Sequence, residues 1–141
     1  MELKLTAEQL EKLIHMGFPS REAFMRVEDL KLNFARVRML YKKWMLRPGN
    51  VLSGPTIFTA ADIGMYVCVM AHIGPELMAV TSDMTLHFIN KGAPGDLIAD
   101  TRLLKLGRKL AVMDVAVFSS AAPETMIAHI SGSYALPQPK K

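Results

Sequence analysis

The stretch Ser53-Gly-Pro-Thr-Ile-Phe-Thr-Ala-Ala-Asp-Ile-Gly-Met-Tyr-Val-Cys-Val-Met70 decides how this sequence is read. It predicts one helix. Pro55 suits the first helical position, where a missing N–H is no loss, and Ser53 or Gly54 suits the cap before it. Apolar residues then continue on every side of the helix, the pattern of a helix enclosed by protein. One charge interrupts them, Asp62. A carboxylate in such surroundings is costly unless paired or hydrogen-bonded, and catalysis is the expected reason for keeping it. Cys68, in the same stretch, reads as a small buried hydrophobe rather than a nucleophile. As the sole cysteine it excludes a disulfide within the chain.

Outward from the helix, composition sets the limits. A chain of 141 residues, half of them hydrophobic, can bury a real core in a single domain. The apolar run approaches membrane-spanning length, but Asp62 near its centre and strand-like sequence on both sides oppose a transmembrane reading. The N-terminus, Met1-Glu-Leu-Lys-Leu-Thr-Ala-Glu8, has no apolar core of a secretory signal, so a cytoplasmic location is expected. The net charge of +4 suits a small anionic ligand. Nucleic acid is a weak reading, because the basic residues form no dense run and few aromatics interleave with them.

Three segments follow from periodicity. Residues 1–33 form a helical leader: Thr6-Ala-Glu-Gln9 is a capping box that starts a helix burying Leu10, Leu13 and Ile14, and Gly17 ends it. Pro19 and Ser20 then predict a second, shorter helix with Ala23, Phe24 and Val27 on its buried face. Residues 34–136 form the main domain. From Phe34 to Met45, Arg36, Arg38, Lys42 and Trp44 share one parity and Ala35, Val37, Met39, Tyr41 and Met45 the other, as in a half-exposed strand. Pro48-Gly-Asn50 loops into the helix, and Gly74-Pro75 ends it. Four strands follow, Leu77–Phe88, Asp96–Leu106, Lys109–Phe118 and Thr125–Leu136, with Asn90–Gly95 and Gly107 as turns and Ser119–Glu124 as a loop. Residues 137–141 are a flexible tail. One strand, a long apolar helix and four more strands predict an α+β fold, an antiparallel sheet against one helix.

Ser53-Gly-Pro55, Asp62, Val80-Thr-Ser-Asp-Met84, Pro94-Gly-Asp96 and Gly107-Arg108 together resemble the hotdog-fold acyl-CoA thioesterases of the phenylacetate-degradation type, over nearly all of Phe34–Leu136. In that family a His-Gly-Gly tripeptide opens the central helix and an acidic residue follows nine positions after the His; Ser53 and Asp62 have that separation. The resemblance implies a curled sheet wrapped around the helix, an acyl-CoA substrate, and a homodimer joined sheet edge to sheet edge and often paired into a tetramer. Thr81 matches the position whose hydroxyl holds the attacking water or the carboxylate. This sequence departs from the tripeptide at Ser53 and Pro55. A substrate-orienting Asn in related enzymes lies farther upstream than Asn50.

The residues support the same chemistry. Thioester hydrolysis needs donors for a carbonyl oxygen that becomes negative, and the free N–H groups of a helix N-terminus supply them. Gly54, without a side chain, admits a carbonyl closely. A carboxylate must then activate water or attack the thioester itself, and Asp62 is the candidate for both roles. At about 1.5 Å per residue, Gly54 and Asp62 stand roughly 12 Å apart on one helix, too far to serve one carbonyl group. Two antiparallel helices across a two-fold axis could bring Gly54 of one chain to Asp62 of the other, so the chemistry itself predicts a homodimer.

Coenzyme A phosphates need cationic partners, and Arg108, Lys109, Lys105 and Lys91 lie at strand ends or turns, Arg108 in the Gly-Arg turn of the family pattern. The acyl group is expected alongside the helix, near Ile57, Phe58, Met65 and Tyr66, with Asn50, Ser53 and Pro55 at its mouth. His15, His72, His87 and His129 show no metal-ligand spacing, so neither metal nor separate cofactor is expected. Ser53 has no His-Asp pair placed to activate it and reads as a cap. The alternative is an acyl-CoA or lipid-binding hotdog module without hydrolysis. A dehydratase or hydratase on this fold would need a His near the helix start.

Overall fold

The structure is a computed structural model that describes residues 1–18 and 22–139. The chain opens with α1 (Ala7–Gly17), started by the expected capping box: Thr6 Oγ1 accepts from the Gln9 N–H at 3.2 Å, and the Gln9 side-chain oxygen accepts from the Thr6 N–H at 2.9 Å. Leu10 and Ile14 are buried beneath it.

The next segment differs from the sequence expectation. Pro19 and Ser20 lie outside the described residues, and the region of Val27 is a strand, β1 (Met25–Lys31), not a second helix. Met25 and Val27 face inward while Arg26 and Glu28 face out, a period of two too short to stand out in the sequence. Leu32 and Asn33, the latter at φ 65, turn the chain directly into β2 (Phe34–Met39), so the two strands form a hairpin. The alternation read for β2 is correct, with Ala35, Val37 and Met39 buried. It stops at Met39 because that residue pairs with Leu97, the first residue of the neighbouring strand, and no ladder remains beyond it. A 3₁₀ turn (Lys43–Met45) and a small hairpin of β3 (Leu46–Arg47) and β4 (Val51–Leu52) fill the interval before α2 (Gly54–Ile73).

After α2 come β5 (Val80–Phe88), β6 (Leu97–Leu106), β7 (Leu110–Ser119) and β8 (Ala122–Ala135). The loop expected over Ser119–Glu124 is only the turn at Ser120 and Ala121. Six strands form one antiparallel sheet in the order β1-β2-β6-β7-β8-β5, so β1 and β5 are its edges. The sheet curls around α2, the hotdog architecture.

α2 is long and apolar enough to cross a membrane by length and composition, but most of it is buried inside the sheet. Its packing is closest at Gly64, where an added Cβ would stand 2.8 Å from Thr101 Oγ1 and 3.3 Å from the Ala99 Cβ on β6. His72, also buried, ties the helix to the β1–β2 turn: Nδ1 donates to the Cys68 carbonyl at 2.7 Å and Nε2 accepts from the Asn33 N–H at 2.9 Å. The helix is not enclosed on every side. Pro55, Phe58 and Thr59 are exposed and Asp62 and Tyr66 half-buried, one strip at helical spacing that opens beside the edge strand β5.

Candidate active site

Asp62 is the centre of a hydroxyl cluster. Thr81 Oγ1 donates to Asp62 Oδ1 at 2.6 Å, and the Tyr134 hydroxyl reaches the same Oδ1 at 2.7 Å and the Asp62 carbonyl at 3.1 Å. Both hydroxyls serve Oδ1; Oδ2 has no hydrogen-bond partner among the described residues. The carboxylate is therefore oriented on one side and open on the other, and it is half-buried rather than enclosed.

Three elements converge to build this cluster. Asp62 comes from the open strip of α2, Thr81 from the start of β5 and Tyr134 from the end of β8, where Thr81 and Tyr134 are ladder partners. Regular alternation along β5 would put Thr81 on the face opposite Met84. A β-bulge between Thr81 and Asp83 adds a residue and reverses the parity, so that Thr81, Met84 and Leu86 are the shielded positions while Val80 is exposed. Asp83, on the other face, takes a hydrogen bond from Ser133.

Tyr134 was not among the residues singled out from sequence. It is 3% exposed, and its ring stacks on Tyr66, with centroids 5.9 Å apart and planes 22° from parallel. Tyr66, one turn along α2 from Asp62, anchors its own hydroxyl on the Leu77 carbonyl at 2.8 Å. Burial first, and the Asp62 charge second, push the Tyr134 phenol well above its ordinary pKa, so it stays a donor. The available signal was a tyrosine on the inward parity of a strand whose neighbours Ser131, Gly132 and Ser133 are small.

The N-terminus of α2 forms the other half of the candidate site. Ser53 is its cap: the hydroxyl accepts from the Thr56 N–H at 3.3 Å and shares a 2.7 Å hydrogen bond with Thr56 Oγ1, which accounts for it without a nucleophilic role. Gly54 is the first helical residue and Pro55 the second, so Gly54 keeps an N–H that the helix does not use. A cavity of about 820 Å³ opens there, lined by Arg47, Ser53, Gly54, Ile57, Phe88 and Lys91 among others. Beside it a second hollow of about 540 Å³ is lined by Gly54, Pro55, Phe58, Thr59, Leu86 and Phe88.

Within one chain these halves stay apart, because Gly54 and Asp62 are residues of one continuous helix. β5 spans the same interval, with Thr81 at the Asp62 end and Phe88 at the Gly54 end, its ring 3.5 Å from where a Gly54 Cβ would be.

The other expected residues divide. Ile57 and Lys91 line the cavity at the helix start, together with Arg47, which sequence reading passed over. Phe58 borders the adjoining hollow. Met65 lines neither of these two hollows: it is fully buried, with its sulfur against Gly132, because its position on α2 points into the sheet. Asn50 does not line the cavity either. It holds a left-handed turn position at φ 59, and its N–H bonds the Arg47 carbonyl at 3.1 Å. Lys105, Arg108 and Lys109 are exposed around the β6–β7 turn, at the end of the sheet where Leu110 pairs with Ala135 and Ala135 with Val80, and so near the Asp62 cluster rather than the Gly54 cavity. Cys68 is buried in the core, and its thiol is pushed up to about 12 by burial, unsuited to nucleophilic work. No group of three or more His, Cys, Asp or Glu side chains among the described residues could hold a metal ion.

A carboxylate held by hydroxyls on a helix that a curled antiparallel sheet wraps, with a free N–H at that helix's start, is thus set in a hotdog fold. Comparison with known proteins gives the family: the thioesterase superfamily pattern matches residues 49–124, and this chain belongs to that superfamily. Among solved structures it is similar to a "putative thioesterase" from Silicibacter sp. TM1040, with 35% identity, a TM-score of 0.88 and coverage of 98% of this chain and 96% of the other. It shares the fold of the Escherichia coli PaaI protein from the phenylacetic acid degradation operon, at 20% identity, a TM-score of 0.73 and coverage of 94% and 96%. It is 28% identical over 97 residues to a "Putative esterase" from Archaeoglobus fulgidus, covering 68% of this chain and 61% of the relative. The chain thus spans about three fifths of the length of the curated relatives it matches.

Proposed function

We propose that this protein is an acyl-CoA thioesterase that works as a homodimer with two composite sites. The observation that carries the reading is the Asp62 carboxylate, fixed through Oδ1 by two hydroxyls and open at Oδ2. In this reading the substrate carbonyl oxygen lies against the Gly54 N–H of one subunit, where the helix dipole favours negative charge. Asp62 of the other subunit activates a water through Oδ2 or attacks the carbonyl carbon directly. The products are the free acid and coenzyme A.

The dimer is supported by the surface that such an arrangement would cover. The open strip of α2 and the edge of β5 expose Phe58, Val80, Phe88 and Ile89, and β5 offers unpaired backbone groups for a second copy. An antiparallel, two-fold pairing of the β5 edges sets the Thr81 end of one strand beside the Phe88 end of the other. The same operation brings Arg47 and Lys91 of one subunit toward Lys105, Arg108 and Lys109 of the other, cations suited to the phosphates of coenzyme A. Pairing of two such dimers follows the family pattern, and a cytoplasmic location belongs to the same reading.

Thiol release from a panel of acyl-CoAs tests the reading. Wild type is expected to turn over at least one of them, and Asp62→Asn to lose about 100-fold or more in kcat. An Asp62→Asn protein as fast as wild type would remove Asp62 from the mechanism. One observation favours a second reading, an acyl-CoA-binding module: the Ser53 hydroxyl is engaged by Thr56, leaving the helix start without a free polar side chain at that position. Wild type that binds acyl-CoA and releases no thiol would establish it.

A further inference from the structure

We propose that Tyr134 is a positioning residue for Asp62, fixing Oδ1 and so turning Oδ2 toward the substrate. The inference rests on the reading of Asp62 as the catalytic carboxylate and adds to it a residue from a different strand. The hydroxyl is 2.7 Å from Oδ1, and Thr81 donates to the same oxygen from across the β5–β8 ladder. Two donors on one carboxylate oxygen lower the freedom of the group to rotate about its terminal bond, and both interactions are stronger for the ionised form.

Tyr134 itself cannot swing away. It is 3% exposed, stacked on Tyr66, whose hydroxyl is pinned to the Leu77 carbonyl, so the ring is held before substrate arrives. A buried phenol that is hydrogen-bonded to the Asp62 carboxylate and carbonyl, with the Thr81 hydroxyl beside it, is a polar group that packing alone does not explain.

The groups that face Asp62 are few. Thr81 approaches from β5, Tyr134 from β8 and Tyr66 from α2; Asp83, two residues along β5 from Thr81, points to the other face and is bonded by Ser133. No Lys, Arg or His among the described residues forms an ion pair with Asp62. The two hydroxyls are therefore the groups that fix the half-buried Asp62 carboxylate.

The experiment joins crystal structures of the full-length protein and thiol-release kinetics for wild type and Tyr134→Phe, which keeps the ring and its stacking and removes the hydroxyl. In the Tyr134→Phe structure the Asp62 carboxylate is expected to leave its wild-type orientation or to occupy two orientations. In turnover that variant is expected to lose about tenfold in kcat with KM within twofold. A folded Tyr134→Phe protein whose Asp62 keeps the single wild-type orientation would overturn the proposal. Should that variant not fold, 4-aminophenylalanine placed at 134, a weaker donor of nearly the same size, is expected to give two carboxylate orientations, and a single wild-type orientation would overturn it equally. The structural comparison needs no turnover, so a wild type that cleaves no acyl-CoA sinks the hydrolase reading while the Tyr134 result stands on its own.

Discussion

Thr81 meets Asp62 because of an irregularity beside it, and this illustrates what residue types alone do at this site. The types are legible: a lone carboxylate in an apolar helix and a strand threonine. Their meeting depends on the bulge between Thr81 and Asp83, which no propensity announces. A second charged cluster shows a carboxylate in a different role. On the outer face of the sheet, Arg102 bonds both Asp114 oxygens, at 3.0 and 2.7 Å, and His129 adds a third contact at 3.0 Å. The Arg102 guanidinium, helped by His129 and opposed by burial, holds the Asp114 carboxyl below its ordinary value of 3.8. A carboxylate whose pKa is depressed by folding stabilises fully above its unfolded value, and that contribution disappears as pH falls through the folded one. Asp114→Asn is accordingly expected to lower Tm by about 2–4 °C at pH 7, with the gap from wild type closing below about pH 4. Thermal melts at pH 7 and pH 3 check this; a gap that is equal at both would assign the loss to shape rather than charge. Arg102 is 65% exposed, so added salt should narrow the neutral-pH gap.

At the scale of elements, the cluster depends on how tightly β5 lies on β8. Gly132 faces Met84 across that ladder, and an added Cβ there would sit 2.7 Å from the Asp83 carbonyl oxygen, a backbone atom beside the bulge. Nothing flexible can yield in its place. Gly132→Ala is expected to cost about 1–3 kcal/mol, read as a lower midpoint in urea denaturation. It should also reduce turnover, because relief of the clash shifts the strand that carries Thr81. An unchanged midpoint would mean that the bulge adapts freely. Helix α2 illustrates a different division between local and distant causes. Its start and end are marked in sequence by Ser53, Pro55 and Gly74, whereas its open strip is set by where the sheet stops, at the edge strand β5.

For the whole molecule, the composite site proposed above makes a prediction that a single-chain site does not share. Subunits carrying Asp62→Asn and subunits carrying Gly54→Val each lose half of every site. In a mixed dimer, one site receives both faults and the other neither. Co-refolding equal amounts is expected to restore about a quarter of wild-type thioesterase activity, since half the dimers are mixed and each has one of two sites intact. Activity no greater than that of the separate variants would mean that each chain completes its own site. Sedimentation showing only a 15.6 kDa species at working concentration would exclude the composite arrangement altogether.

The sequence by itself determined the central helix, the parity of β2, the four strands after the helix and the family pattern, because these rest on local signals: a cap and a proline at the helix start, a glycine at its end, an unbroken apolar run between them and an apolar period of 2 in β2. It also marked Asp62, since an isolated charge in an apolar run is conspicuous within the run itself. Only the tertiary structure decided that Met25–Lys31 is an edge strand, because its short alternation becomes meaningful once β2 lies beside it. Tertiary structure likewise decided that Met65 is core, that Tyr134 shares Asp62 with Thr81, and that Gly54 and Asp62 remain at separate stations of one helix. Those facts depend on register, on a bulge and on which side of a helix the sheet leaves open. Each is a relation between segments far apart in the chain, which no stretch of residues carries alone.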